Sequence, residues 1–123
     1  MKTSCFRKYK GDDAISIALY APENWKGSHF PALAPSRELL NLSKYSNLEH
    51  SKYIEIYREE VLSKLNPKEV YEELKDKVLL CWENPGEFCH RRIVAEWLED
   101  SLGVEIPEWN KKDDKQNIAK TLF

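Results

Sequence analysis

Residues capable of acid–base, nucleophilic or metal chemistry are concentrated in one short segment of the chain. Cys81 and Glu83 stand at the end of an apolar run, and Cys89 and His90 follow after a turn. A thiolate is a nucleophile and a metal ligand, an imidazole exchanges protons near neutral pH, and a carboxylate serves as a general base. The spacing therefore predicts a reactive site, with Glu83, Cys89 and His90 as the candidate catalytic residues.

A helix predicted over residues 88–102 positions the basic side chains beside this site. At roughly 100° per residue, Arg91 falls on the flank of the apolar face, whereas Arg92 points away from it and stacks above Glu96. The unpaired N–H groups of a first helical turn favour an anion, and Arg91 adds a two-pronged charged contact. Arg91 is therefore the candidate binding residue for a phosphate or carboxylate, and the same position favours the thiolate of Cys89.

Structural roles compete with each of these chemical roles. The two cysteines fit small buried positions, and Glu83 fits a salt bridge to Arg91. A zinc site built from Cys81, Glu83, Cys89 and His90 has suitable ligand types, but its spacing is not a recognised one. We therefore expect no metal and no cofactor. A disulfide between the cysteines stays open geometrically, but we expect reduced thiols, because the total of three is odd and too few for a disulfide scaffold.

Two tryptophans and a lysine are the candidate contacts for a flat or charged ligand. Trp82 directly follows the apolar run, and Trp25 and Lys26 lie in a loop after an earlier predicted strand. Indole rings stack on bases and sugars, although loop tryptophans also cover the edges of hydrophobic cores. Trp25, Lys26 and Trp82 are therefore assigned as substrate-binding candidates together with Arg91.

The elements that must position these residues follow from hydrophobic periodicity and from turn signals. Strands are predicted at residues 3–9, 14–20, 77–82 and 104–109, and helices follow Ser36 and cover residues 50–65, 67–76 and 88–102. This order predicts an α/β fold: a single small three-layer α/β sandwich with a short, mostly parallel sheet and a C-terminal βαβ unit. Ligands of such sheets bind beyond the carboxyl ends of the strands, where Cys81, Trp82 and Glu83 lie.

The composition limits the class of protein further. The chain has 123 residues and a net charge of −2, so we expect one domain over residues 1–107 and a charged, loosely helical tail over residues 108–123. It contains no apolar segment of membrane-spanning or signal-peptide length, which predicts a cytoplasmic protein without membrane contact. The slight acidity argues against tight sequence-independent binding of DNA.

The reactive segment also resembles a known family. The stretch from Val78 to Glu99 is similar to the C-terminal signature of the domain of unknown function 488 family, which has a strand ending in Leu-Cys-x-Glu and a helix opened by Cys-His-Arg. The matching residues are Leu80, Cys81, Trp82, Glu83, Cys89, His90 and Arg91. The resemblance implies a compact α/β domain whose activity is unassigned, with nucleotides or nucleic acid suggested by analogy. Residues 18–22 depart from it, because they lack the acid and the arginine found there in many members.

Three hypotheses of function remain at this point. The first is a small enzyme acting on a phosphorylated, nucleotide-like or nucleic-acid-like substrate at the strand-to-helix turn. The second is a non-catalytic module that binds nucleic acid, a nucleotide or a protein partner in the same cleft. The third is structural, with Glu83, His90 and Arg91 forming a buried polar brace. A homodimer stays open under all three.

Overall fold

Within residues 1–110, four parallel strands form the central sheet. The structure is a computed structural model that describes residues 1–110. The strands are β1 (Lys2–Cys5), β2 (Ala14–Ser16), β3 (Ser28–His29) and β4 (Val78–Cys81), arranged in the order β1-β4-β2-β3. The predicted α/β class with a short parallel sheet is confirmed.

In the described part of the chain, four α-helices connect or follow these strands. They are α1 (Arg37–Tyr45), α2 (His50–Glu60), α3 (Pro67–Leu74) and α4 (His90–Leu102), with short 3₁₀ turns at Pro31–Leu33 and Leu62–Lys64. The Ser36 hydroxyl accepts a hydrogen bond from the Leu39 amide at 3.0 Å, which confirms the predicted helix start. Gly103 ends α4 with a φ of 70°, a left-handed conformation that glycine adopts without strain. Among residues 1–110, none of the helices has the length and apolar character needed to cross a membrane.

The two faces of the sheet are covered differently. The helices pack on one face, where Ile15 and Leu79 join the larger hydrophobic cluster with Val94 and Leu98. On the other face, a smaller cluster contains Phe6, Ala14, Val78 and Leu80, and the residues packed against it come from the loops after β1 and β2. Within residues 1–110, the third layer of the predicted sandwich is therefore built from loops and not from helices.

Several element boundaries differ from the predicted ones. Strand β2 ends at Ser16, and the helix predicted over residues 50–65 ends at Glu60 before a 3₁₀ turn. Strand β3 was not predicted, because two exposed polar residues carry no alternating pattern. The last predicted strand is reduced to one parallel bridge between Thr3 and Glu108. Pro107 has no N–H to extend that pairing.

The segment after α4 nevertheless runs beside β1 past the expected end of the domain. The Thr3 amide donates to the Pro107 carbonyl at 3.1 Å, and the Trp109 amide donates to the Thr3 carbonyl at 2.7 Å. The packed part of the chain thus includes at least two residues of the predicted tail. The loosely helical tail was predicted for residues 108–123, and residues 111–123 lie outside the described part of the chain.

Candidate active site

A cleft of about 400 Å³ opens at the carboxyl ends of β2 and β4. Cys81, Glu83, Cys89 and His90 line it together with Trp82. Its other lining residues come from the segment after β2, from helices α1 and α2, and from the turn before α4, and they include Tyr20, Leu40, Lys44, Tyr53 and Phe88. The structure thus brings together all three predicted catalytic residues at the end of the sheet where α/β proteins bind ligands.

A closed turn between β4 and α4 brings the two cysteines together. The Asn84 amide donates to the Glu87 carboxylate at 3.1 Å, and the Glu87 amide donates to the Asn84 carbonyl at 3.0 Å. Gly86 has a φ of 88°, a conformation that glycine favours in turns. The chain therefore reverses between Cys81, the last residue of β4, and Cys89, the residue that precedes α4.

Cys81 and Cys89 are joined by a disulfide, with their Cα atoms 7.4 Å apart. The prediction of three reduced thiols is therefore wrong for this pair and holds for Cys5, which is buried and forms no disulfide. The sequence left this disulfide geometrically open, and the prediction of reduced thiols relied on the total of three cysteines, which is odd and too few for a disulfide scaffold.

His90 is buried at the base of the cleft with both ring nitrogens close to polar atoms. Nε2 lies 2.8 Å from the Ile17 carbonyl oxygen and Nδ1 lies 3.8 Å from Cys89 Sγ. Because a carbonyl only accepts, Nε2 carries the proton and Nδ1 presents its lone pair to the sulfur. Burial lowers the pKa of His90 to about 4, the nearby Arg91 charge adds to this, and the Ile17 hydrogen bond opposes it. The imidazole is therefore neutral at physiological pH.

Glu83 is the solvent-exposed acid of the cleft. One carboxylate oxygen lies 3.5 Å from Cys81 Sγ. Its negative charge also acts on Tyr53 of α2. Burial is the larger cause and the Glu83 charge the smaller, and together they raise the pKa of the Tyr53 hydroxyl well above its usual range. The cleft therefore places a carboxylate that can accept a proton near a phenol that keeps its own.

Arg91 does not face the cleft. Its side chain is 1% exposed, and Nε and Nη2 donate to the Glu108 carboxylate at 3.0 and 2.6 Å. Nη1 donates to the Glu83 backbone carbonyl at 2.8 Å and lies 2.9 Å from Cys81 Sγ. We call Arg91 and Glu108 the brace. It corresponds to the structural hypothesis, except that its acid is Glu108 and not Glu83, and the side chain predicted to bind an anion is already paired.

The prediction that Arg92 is exposed and stacks above Glu96 is wrong. Its Nη1 donates to the Thr3 hydroxyl at 2.9 Å and to the Ile106 carbonyl at 2.8 Å, and it lies 4.0 Å from a Glu108 carboxylate oxygen. The helical angle was correct, but the segment after Gly103 folds back over that side of α4. The side that the helix alone would expose is therefore partly covered.

The two candidate tryptophans both contact the ring of Phe6. Both contact its ring edge-on, with centroid distances of 5.2 Å for Trp25 and 5.3 Å for Trp82. Trp82 is 55% exposed, lines the cleft and donates to the Tyr20 carbonyl at 2.7 Å. Trp25 packs on the loop-covered face of the sheet, and neither it nor the exposed Lys26 lines the cleft.

Sequence reasoning missed several residues of the cleft. Tyr53, in the helix predicted over residues 50–65, is buried and also lines the cleft with Phe88, whose ring centroid lies 5.2 Å from its own. Lys44 in the last turn of α1 lines the cleft and supplies a cation to it, whereas Arg91 of α4 was predicted to supply one. Tyr20 had one usable signal, its position shortly after β2 at the ligand-binding end of the sheet.

The fold and the cleft define a small α/β protein with a candidate active site at the carboxyl ends of its parallel strands. Residues 4–102 match the sequence model of the DUF488-N3a family, described as the active DUF488-N3 subclade. The chain belongs to this family, which confirms the resemblance. No curated protein matches the chain, and no solved structure does.

Proposed function

We propose that the protein is an enzyme that binds a nucleotide or a nucleobase-like ring in the cleft and uses Glu83 to transfer a proton. The observation that carries this proposal is the position of an exposed carboxylate in a cleft walled by aromatic side chains. The family description uses the word active, which agrees with a catalytic role.

The dimensions and the lining of the cleft support a ring-shaped ligand. A volume of about 400 Å³ lies within the range of small-molecule sites. Trp82 and Tyr20 are both more than half exposed, and the Trp82 indole donates a hydrogen bond to the Tyr20 backbone carbonyl. An exposed aromatic face that is held in this way is suited to stacking on a base.

The charges of the cleft support a ligand that carries a phosphate or another anionic group. Lys44 supplies a cation in the last turn of α1, so the anion would lie toward α1 and not at Arg91. Glu83 would lie close to the ring, because it lines the same cleft as Trp82.

Proton transfer by Glu83 fits its surroundings. The Glu83 carboxylate is exposed in the cleft, and a carboxylate can accept a proton from a bound water or hydroxyl. Tyr53 keeps its proton and is suited to donate a hydrogen bond to the ligand. His90 is neutral and hydrogen-bonded to Ile17, so we assign it to the base of the site and not to proton exchange with solvent.

The test is a panel of nucleobases, nucleosides and nucleotides measured by calorimetry and by thermal shift, followed by product analysis. We expect at least one compound to bind and to be converted. Glu83→Gln should retain binding and lose turnover. No binding by any compound of the panel would contradict the proposal, and binding without turnover would favour the non-catalytic module.

Trp82 and Trp25 form a matched pair for this test, because both contact Phe6 at nearly the same distance. Trp82→Ala should weaken ligand binding about tenfold, since stacking on one base contributes about 1–3 kcal/mol. Trp25→Ala should leave the dissociation constant unchanged. Equal effects of the two substitutions would show that the ring does not stack in this cleft.

A further inference from the structure

We propose that Cys81, Cys89 and His90, in the reduced state of the protein, bind one zinc ion at the base of the cleft. This goes beyond the proposed function, because metal binding here depends on the ligand geometry alone. It also revises the expectation from the sequence, which gave little weight to a metal because the spacing of the residues is unusual.

The first support is the convergence of the three donor atoms. One imidazole nitrogen and the two sulfur atoms all lie within 4.8 Å of one another, and all three residues are buried. Zinc–sulfur bonds of about 2.3 Å and zinc–nitrogen bonds of about 2.0–2.1 Å place tetrahedral ligand atoms roughly 3.5–3.8 Å apart. The observed 3.8 Å between His90 Nδ1 and Cys89 Sγ already matches this separation.

The second support is the separation of the backbones that carry the cysteines. The Cα atoms of Cys81 and Cys89 are 7.4 Å apart, whereas disulfides usually join Cα atoms about 4.4–6.8 Å apart. An ion between two thiolates moves the sulfur atoms apart by well over an ångström relative to a covalent bond, so it accommodates a wider backbone. The turn and the start of α4 thus suit a metal bridge better than a covalent one.

The third support is the orientation of the histidine. Nε2–H donates to the Ile17 carbonyl, which directs the Nδ1 lone pair to the cysteine side. A metal-binding histidine characteristically donates its other N–H to a carbonyl or carboxylate in this way, which fixes the ring for coordination. Arg91 contributes as well, because its Nη1 lies 2.9 Å from Cys81 Sγ and favours the thiolate charge.

The electrons and protons of the change balance as follows. A dithiol reductant transfers two electrons and two protons to the disulfide, which becomes two thiols while the dithiol becomes a disulfide. Zinc then displaces the two thiol protons to the solvent. The two negative charges of the thiolates balance the double positive charge of the zinc ion.

Three protein ligands leave the fourth tetrahedral position of zinc to water, as in catalytic sites. All three residues line the cleft, and the Glu83 carboxylate lies 3.5 Å from one ligand sulfur, close enough to accept a proton from that water. This last step rests on the proposed function, in which Glu83 transfers the proton. Zinc binding itself does not.

The test uses the full chain, reduced with a dithiol under inert gas, given zinc and freed of unbound metal. We expect one equivalent of zinc per chain by elemental analysis. Cobalt(II) in place of zinc should give the near-ultraviolet thiolate-to-cobalt absorption and the strong visible bands of a tetrahedral site. The proposal is overturned if the reduced chain retains no zinc and gives no thiolate-to-cobalt absorption.

Cysteine variants locate the site. Cys81→Ser and Cys89→Ser should each abolish the cobalt–thiolate signal of the intact site, whereas Cys5→Ser should retain it. Cys5 is the matched control because it pairs with Cys81 in the sheet and is equally buried, but it is not part of the metal-binding group. A loss of signal in Cys5→Ser as large as in the other two variants would contradict this site.

A measurement on the unmodified chain covers the case in which the serine variants do not fold. Oxidising the zinc-loaded protein with hydrogen peroxide should release the metal, because the two thiolates give two electrons to the peroxide, which takes up two protons and becomes water, and the disulfide that forms no longer offers thiolates to zinc. A chromogenic chelator would record one equivalent of zinc released for each pair of thiols lost. Full oxidation of the two thiols with the zinc retained would overturn the proposal. Neither measurement requires a substrate, so failure of the proposed function would leave both results interpretable.

Discussion

The cleft and the brace start from two neighbouring residues of the same helix, and they have opposite characters. His90 turns toward Ile17 and the cysteines at the base of an open cleft. Arg91 turns roughly 100° away and is enclosed with Glu108 on the other side of β4. Within the first turn of α4, His90 thus belongs to the candidate site, whereas Arg91 stabilises the segments around that site.

The difference shows how a charged residue beside a reactive cluster can be structural. The Arg91 guanidinium joins four parts of the chain, because it contacts Glu108, the Glu83 carbonyl and the Cys81 sulfur from its own position on α4. These contacts use four of the five guanidinium N–H donors, and the side chain is buried, so Arg91 is poorly placed to bind an incoming phosphate. The brace instead fixes the end of β4, the segment after α4 and the turn that carries Glu83.

The largest expected effect is on the brace. Arg91→Ala removes the main partner of the partly buried Glu108, which keeps only the Thr3 hydroxyl and the more distant Arg92, and we expect it to cost about 3–5 kcal/mol of the free energy of unfolding. Urea denaturation monitored by circular dichroism measures this change. Lys52→Ala removes the exposed pair with Glu55 and should change the stability by less than about 0.5 kcal/mol. Comparable losses of unfolding free energy in the two variants would show that the brace stabilises the fold no more than an exposed ion pair does.

A folded alternative is available if Arg91→Ala does not fold. Glu108→Gln keeps the shape of the side chain and one oxygen acceptor for Arg91, so the loss should be smaller than in Arg91→Ala. The same variant should bind cleft ligands and zinc as the unmodified chain does. Weaker ligand binding at unchanged stability would mean that the brace belongs to the cleft after all.

The second effect is a pH dependence that originates at His90 in the oxidised protein. The pKa of His90 is lowered from 6.5 to about 4 on folding, so the unfolded chain binds more protons between these two pH values. The stabilising contribution is present in full above pH 6.5, and about 3 kcal/mol is lost as the pH falls to 4. Urea denaturation across this range measures it.

Carboxylates also begin to titrate at the acidic end of this range, so the histidine contribution needs a control. His90→Gln removes the titrating ring, and its stability should fall much less between pH 6.5 and pH 5 than that of the unmodified chain. Parallel pH profiles of the two proteins would contradict the assignment to His90.

The third effect is the smaller loss of stability that we expect on replacing Arg92 than on replacing Arg91. Arg92→Ala should cost about 1–2 kcal/mol, because its hydrogen bonds to Thr3 and Ile106 are partly exposed to solvent. Thermal and urea denaturation compare it with Arg91→Ala under the same conditions. A loss as large as that of Arg91→Ala would mean that Arg92 is the main partner of the segment after α4.

The smallest expected effect is on the cleft side. Glu83→Gln should leave the free energy of unfolding within about 0.5 kcal/mol of the original, because the Glu83 side chain is exposed. The same substitution should abolish turnover if the proposed function is correct. Urea denaturation measured alongside the activity assay separates the two roles. A loss of several kcal/mol would assign Glu83 to the brace instead.

The sequence predicted the local features of the site well. The apolar run of β4, the turn rich in proline and glycine, and the Gly103 helix end are signals that act within a few residues, and the structure has all three. The Ser36 helix start was equally predictable, because the hydroxyl caps an amide only three residues away. These features require no knowledge of the rest of the fold.

The partners of the site residues were less predictable. Glu108 lies 17 residues beyond Arg91 in the chain, and the pairing depends on how the segment after Gly103 returns along β1. Tyr53 reaches the cleft because α2 packs beside α4, which its helical periodicity does not reveal. Sequence periodicity shows which face of a helix is buried, but not which element covers it.

The sequence by itself determined the chemical groups, the parallel α/β class and the short path from Cys81 to Cys89. Only the tertiary structure decided that Arg91 is enclosed by Glu108, that Trp82 and not Trp25 lines the cleft, and that His90 directs Nδ1 toward the sulfur. Hydrogen bonding in turns and helices acts over a few residues, so sequence encodes it locally. Burial and charge pairing depend on which distant segments meet, and they decide whether a reactive residue serves chemistry or structure.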